Sequence, residues 1–197
     1  MVVAIDLDGV IFDSEEYYRT YSHLVDLKNG GTGLKNREEM SVFDRLGWSK
    51  EQADDFFGKY TAEVLNSAPL LPGAKCVLDE LRKLGNKLVC VTLRGYYRDC
   101  EVEITERRLR EEGVVFDKII YSQKNKLAAC KAEGVDVIVD DNPNTIELLS
   151  ENGIKCLHFR GAGLKKVENT NVVDVQNWAC ILEEILKLSK EKRENLK

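Results

Sequence analysis

Two aspartates spaced by one residue, Asp6 and Asp8, follow the apolar run Val2-Val3-Ala4-Ile5 and precede Gly9. A run of this kind reads as a parallel strand buried on both faces. In an open α/β sheet, ligands bind beyond the carboxyl ends of the strands. Residues two apart in extended chain share a side, so both carboxylates converge on one small volume while Leu7 turns away. Close carboxylates repel, and such a pair calls for a divalent cation, a shared proton or a donor between them. Other polar residues end apolar runs in the same manner. Thr92, with Leu93 and Arg94 behind it, follows Lys87-Leu88-Val89-Cys90-Val91, and Asp140-Asp141 follows Val135-Asp136-Val137-Ile138-Val139. Lys126 stands at a helix start, with Lys124 as the alternative and Lys118 close by. Arg94 reads either as a phosphate contact or as a solvated loop arginine.

The elements that must position these residues follow from periodicity. Beyond Leu71-Pro72-Gly73 the pattern alternates: helices at 74–84, 97–112, 125–133 and 143–152, and strands at 87–92, 115–121, 135–140 and 154–159. Repeated βα units mean a parallel sheet with helices on both faces, to which the strand at 2–7 belongs by composition. Between Asp13 and about residue 70 the rhythm is helical. Apolar positions recur at i, i+3, i+4 as Tyr17, Tyr18, Tyr21, Leu24, Val25, then Met40, Val42, Phe43, Leu46, then Ala53, Phe56, Phe57, Tyr60, Val64. Glycines punctuate these segments, and Ser49 with Gln52 marks a helix start. The stretch from Asp8 to Thr92 far exceeds one crossover helix, so residues 14–70 read as an insertion and residues 1–13 and 71–197 as the core. The charged tail at 187–197 reads as a frayed helix end.

Composition bounds the partners. With 197 residues, 43% hydrophobic and 32% charged, the chain has one substantial core. A net charge of −5 argues against a nucleic-acid polymer, which needs a basic face, but not against a small phosphate ester. No apolar run approaches a membrane span, and Met1 leads straight into the first strand, so a cytoplasmic protein is expected. The six cysteines lie singly, without CxxC pairing, and read as free buried thiols.

Taken together, the four strand-end and helix-start motifs resemble the haloacid dehalogenase superfamily over about residues 2–160. The resemblance implies an α/β fold of three α/β/α layers with strand order 5-4-1-2-3, capped by the insertion. It implies that Asp6 is a nucleophile and Asp8 an acid/base. Thr92 would be the phosphate-binding hydroxyl, in a substrate loop with Leu93 and Arg94, and Lys126 the cation joining phosphate and nucleophile. Asp140 and Asp141 would complete a Mg²⁺ site with Asp6 and the backbone carbonyl of Asp8. The physics fits these roles. An aspartate with an ordinary pKa of about 3.9 is ionised at neutral pH and attacks phosphorus without a base. Asp8 can deliver a proton to the leaving group if neighbouring carboxylates raise its pKa.

Rival motifs are weaker. Asp6-Leu7-Asp8-Gly9 lacks the acid at the fifth position that a calcium loop needs. Cys76 and Arg82 have C-x5-R spacing but no glycines to wrap a phosphate, and neither Gly30-Gly31-Thr32-Gly33 nor Gly161-Ala162-Gly163 fits a nucleotide fingerprint. His158, inside a strand, reads as structural. Pro69-Leu70-Leu71-Pro72-Gly73-Ala74, Ile138-Val139-Asp140-Asp141-Asn142-Pro143 and Trp178 resemble the 5′(3′)-deoxyribonucleotidase family, which implies a nucleoside monophosphate substrate. That family has an aromatic near the position of Ser14, and Tyr17, Tyr18, Phe43, Trp48, Phe56 or Phe57 would have to replace it. Oligomeric state stays open.

Overall fold

The computed structural model describes residues 1–37, 39, 41–160 and 165–194, with the Phe43 side chain left out. Met40 and Gly161-Ala162-Gly163 therefore lie outside the described residues, as do residues 195–197 of the tail. The elements run β1 (Val2–Ile5), α1 (Ser14–Lys28), α2 (Val42–Leu46), α3 (Lys50–Ser67), α4 (Ala74–Lys83), β2 (Lys87–Val91) and α5 (Cys100–Glu111). They continue with β3 (Lys118–Ile120), α6 (Leu127–Glu133), β4 (Val137–Asp140), α7 (Pro143–Glu151), β5 (Lys155–Phe159), β6 (Val172–Val175) and α8 (Trp178–Glu194).

All strand pairs are parallel, and the order is β3-β2-β1-β4-β5-β6. The expected five-strand order 5-4-1-2-3 is thereby corrected: a sixth strand, β6, adds an outer edge beside β5. Its four residues carry a mid-strand Asp174 and only Val175 is fully buried, which hides them from a search for apolar runs.

The period-2 rule divides the core. Val3, Ile5, Leu88, Cys90, Val137 and Val139 point into the layer containing α4 and α8, while Ala4, Val89, Val91 and Ile138 point to α6 and α7. This is a three-layer α/β/α sandwich. The helical cap, α1 to α3, has a core of its own in Val42, Leu46, Trp48, Ala53 and Phe56, with Tyr18, Tyr21 and Tyr60 packed against it. Ser49 and Gln52 form a reciprocal capping box that starts α3. Trp48 belongs to this core: it is 8% exposed and its indole N–H donates to Asp26 at 2.6 Å.

Two anchors tie the pieces together. Arg108 of α5 donates to the carbonyls of Leu65, Asn66 and Ala68, closing the otherwise open C-terminal end of α3. Trp178, fully buried at the start of α8, donates to the Val10 carbonyl at 2.9 Å and pins the loop after β1. The tail expected to fray from residue 187 is helical as far as it is described. Helix α8 continues to Glu194, held by buried Ile181 and Ile185 and by a Lys192 to Asp136 ion pair. The expectation that all thiols are buried is corrected too, since Cys76 and Cys100 are exposed.

Candidate active site

Parallel register brings the ends of β1, β2 and β4 to one rim. The Asp6 N–H donates to the Val139 carbonyl (3.0 Å) and the Thr92 N–H to the Ile120 carbonyl (3.0 Å). Asp6, Thr92 and Asp140 thus stand at neighbouring strand ends, each at least nine-tenths buried. Into this rim reaches Lys126, its Nζ 2.9 Å from Asp6 and 2.7 Å from Asp140. The two other lysines weighed from sequence are elsewhere: Lys124 lies over the Tyr96 ring and Lys118 pairs with Glu133. The second oxygen of Asp140 accepts the Asn142 N–H (2.9 Å), and Asn142 in turn caps α7, so the acidic pair sits on a braced helix start.

Asp6, Asp140 and Asp141 each offer a carboxylate oxygen, all within 4.8 Å of one another. Asp141 Oδ2 is buried and without a hydrogen-bond partner among the described residues. Gly9 lets the backbone come this close: its φ is +69°, and a Cβ there would stand 2.0 Å from Asp141 Oδ2. Burial pushes the Asp6 carboxyl above its ordinary value against the pull of Lys126, with Asp140 and Asp8 adding to the rise. Asp141 is pushed well above its ordinary value by burial, then by Glu15 and Asp140. The expectation of an ordinary carboxylate pKa at Asp6 is therefore corrected for the protein alone. Three converging carboxylates with one cation and an orphaned oxygen fit a hard divalent cation such as Mg²⁺, which would supply the missing positive charge.

The Asp8 carboxylate does not join that cluster. Arg94 grips it with a two-pronged fork, Nε to Oδ2 at 2.9 Å and Nη2 to Oδ1 at 2.7 Å, and the Ser14 hydroxyl donates to the same carboxylate. Burial works to raise the Asp8 carboxyl, but Arg94 and Ser14 outweigh it and hold it below its ordinary value. This corrects two expectations. Neighbouring acids do not raise Asp8, and Arg94 is no solvated loop residue: it is 4% exposed, also donates to Thr105 (3.0 Å), and stacks on Phe12. Leu93, between Thr92 and Arg94, is 38% exposed.

Of the α1 residues that close the site, sequence reasoning named Tyr18 as a possible substrate aromatic and missed the roles of Ser14 and Glu15. Ser14 touches Asp8 directly. Glu15 flanks Gly9 beside Asp141, and burial followed by repulsion from Asp8 pushes its carboxyl above the ordinary range. Tyr18 interacts electrostatically with Asp8 and Arg94. The available signal was polar residues at i, i+4 spacing just after the first motif, which reads equally well as a solvated face.

No family model matches the chain. A nucleotidase of Clostridium acetobutylicum is 26% identical over 181 residues, spanning 89% of this chain and 88% of its own length. In structure the chain is similar to a predicted phosphatase from Clostridium acetobutylicum, with TM-score 0.65 and 16% identity over 94% of this chain and 98% of that one. It is also similar to a HAD hydrolase, family IA, variant 3, from Entamoeba histolytica, with TM-score 0.67 and 15% identity over 96% and 99% of the two chains. At those identities the fold is what is shared. No described helix is long and apolar enough to cross a membrane.

Proposed function

We propose that this chain, which has the haloacid dehalogenase fold with a helical cap, is a Mg²⁺-dependent phosphomonoesterase acting on a small phosphorylated metabolite. The observation that carries the reading is the buried Asp6 carboxylate, bridged by Lys126 to Asp140 and adjoining Asp141 on one strand-end rim. Asp6, Asp140 and Asp141 would hold the metal, which offsets the charge of the carboxylates and of an incoming phosphate. Thr92 and Lys126 would orient the phosphoryl group for in-line approach. Asp6 attacks phosphorus, an aspartyl phosphate forms, and the P–O bond to the leaving group breaks. Asp8 gives that oxygen a proton. It then takes one from the water that attacks the aspartyl phosphate, releasing inorganic phosphate and restoring Asp6.

In the ground state Asp8 is held ionised by Arg94, so the acid role requires Asp8 to take a proton from solvent once a phosphate dianion competes for that guanidinium. The test is phosphate release from p-nitrophenyl phosphate with Mg²⁺ and with EDTA. Full turnover under chelation excludes the metal-dependent mechanism. A second reading, a nucleoside monophosphate as substrate, is supported by the nucleotidase of 26% identity. A panel of nucleoside 5′- and 3′-monophosphates against sugar phosphates decides it. Higher kcat/KM on the nucleotides supports that reading, and higher values on the sugar phosphates remove it.

A further inference from the structure

The buried stripe of α1 is polar. Ser14, Ser22 and Asp26 are its buried residues, and Glu15, Tyr18 and Arg19 share the face at i, i+3, i+4 spacing. Arg45, from α2, packs onto this stripe and is 3% exposed. Its Nη2 donates to the Ser22 hydroxyl at 2.9 Å, but its Nε and Nη1 are buried without a partner among the described residues. The Nε and Nη2 atoms of Arg19 are orphaned in the same way. Four buried nitrogens without a partner on two adjacent cations are costly, because an unsatisfied buried donor keeps its desolvation penalty, the more so when it is charged. The two cations also oppose each other, since Arg45 is lowered first by burial and then by Arg19. Buried charges in native proteins are normally paired, and although Glu15 and Glu16 attract Arg45, no carboxylate hydrogen-bonds to these nitrogens among the described residues, so the geometry points to a missing anion. Glu15 connects the pair to the rim, interacting electrostatically with Asp8 and Asp6 as well as with Arg19 and Arg45.

We propose that Arg19 and Arg45 form a cap subsite for a second anionic group, a carboxylate or a further phosphate, on the leaving-group portion of the substrate. The proposal rests on the phosphatase reading and narrows its substrate class to small phosphate esters with a distal anion. Guanidinium forks suit both anions, because planar paired N–H donors match two oxygens of either group.

The test compares wild type, Arg19→Gln and Arg45→Gln on p-nitrophenyl phosphate, phosphoglycolate and glucose 1,6-bisphosphate. Each substitution should lower the kcat/KM ratio of a two-anion substrate to p-nitrophenyl phosphate by about ten- to a hundredfold. A fall confined to phosphoglycolate identifies a carboxylate, and one confined to the bisphosphate identifies a phosphate. Unchanged ratios overturn the subsite. A turnover-independent arm measures thermal stabilisation by phosphonoacetate against methylphosphonate. Wild type should gain more from phosphonoacetate, and both variants should lose that excess. Without ligand, Arg19→Gln should melt no lower than wild type, since it removes a cation whose Nε and Nη2 are buried without a hydrogen-bond partner among the described residues; a lower melting temperature with the excess retained assigns a structural role and overturns the proposal. If wild type hydrolyses none of the three esters, the phosphatase reading fails separately, and the phosphonate arm still decides the subsite.

Discussion

Asp8 and Arg94 set the proton chemistry of the rim. With Asp8 held below its ordinary pKa by Arg94 and Ser14, the free protein keeps it ionised through the neutral range. An acid must be protonated to act, so kcat/KM on an alkyl phosphate falls as pH rises through the Asp8 pKa. Arg94→Met removes the main force lowering that pKa and should move this limb of the profile to higher pH. A pH–rate profile whose limb stays in place refutes the coupling. Asp6→Asn should abolish turnover on every phosphate ester, because the amide is a poor nucleophile. The same change relieves charge crowding with Asp140 and Asp8, so without metal the variant should melt at or above the wild-type temperature in calorimetry. With Thr92 in its proposed role as a phosphoryl donor, Thr92→Val should lower kcat by about 10²-fold or more.

At the scale of elements, single side chains join helices and strands that the sequence leaves far apart. Arg108 of α5 closes the end of α3, pairs with Glu112 of its own helix at 3.1 Å and stacks on Phe12. Arg108→Ala leaves several carbonyls without their donor and should cost about 3 kcal/mol in urea unfolding. Asp136 joins β4 to β1 and α8, accepting the Val2 N–H at 2.8 Å and the Lys192 ammonium at 2.6 Å. Burial works to raise this carboxyl, but those two donors prevail and hold it low. A depressed folded pKa contributes stability above the unfolded value of about 4, and that stability is lost as pH falls through the folded value. Asp136→Asn should therefore cost about 1 kcal/mol at pH 7, with the difference vanishing in strong acid. A constant difference across the acid range rejects this linkage. The register of α1 was legible from its periodic aromatics, but its buried face was not. Leu24 and Leu27 are about half exposed, while Ser22 and Asp26 are buried.

For the whole molecule, two cores face the sheet and a third lies within the cap. A ligand that binds only the folded state stabilises it by mass action, about 2.7 kcal/mol at a hundredfold excess over Kd. Saturating Mg²⁺ should accordingly raise the melting temperature by several degrees, and Asp140→Asn should erase the rise. An equal Mg²⁺ response in that variant would show that the carboxylate cluster is not the metal site. Because the cap core is separate, amides of α1 to α3 should exchange faster than those of β1, β2 and β4. Mg²⁺ with orthovanadate, a phosphate mimic, should slow exchange in the cap, as read by mass spectrometry.

The sequence by itself determined the parallel α/β core and the residues at its strand ends. A strand buried on both faces needs an unbroken apolar run, and a polar residue that ends such a run marks the rim. Asp6, Thr92 and Asp140 were legible for that reason, and Lys126 only as one of three lysines. Tertiary structure alone decided which of those lysines reaches Asp6 and Asp140, and that Arg94 is consumed by Asp8 rather than solvated. It also decided that Glu15, Arg19 and Arg45 come together within the cap, and that β6 extends the sheet. A charged side chain on a helix reads as solvated until the element that covers it is in place. Its burial, its partner and its pKa are set by neighbours that the chain brings from a distance, not by the residues beside it.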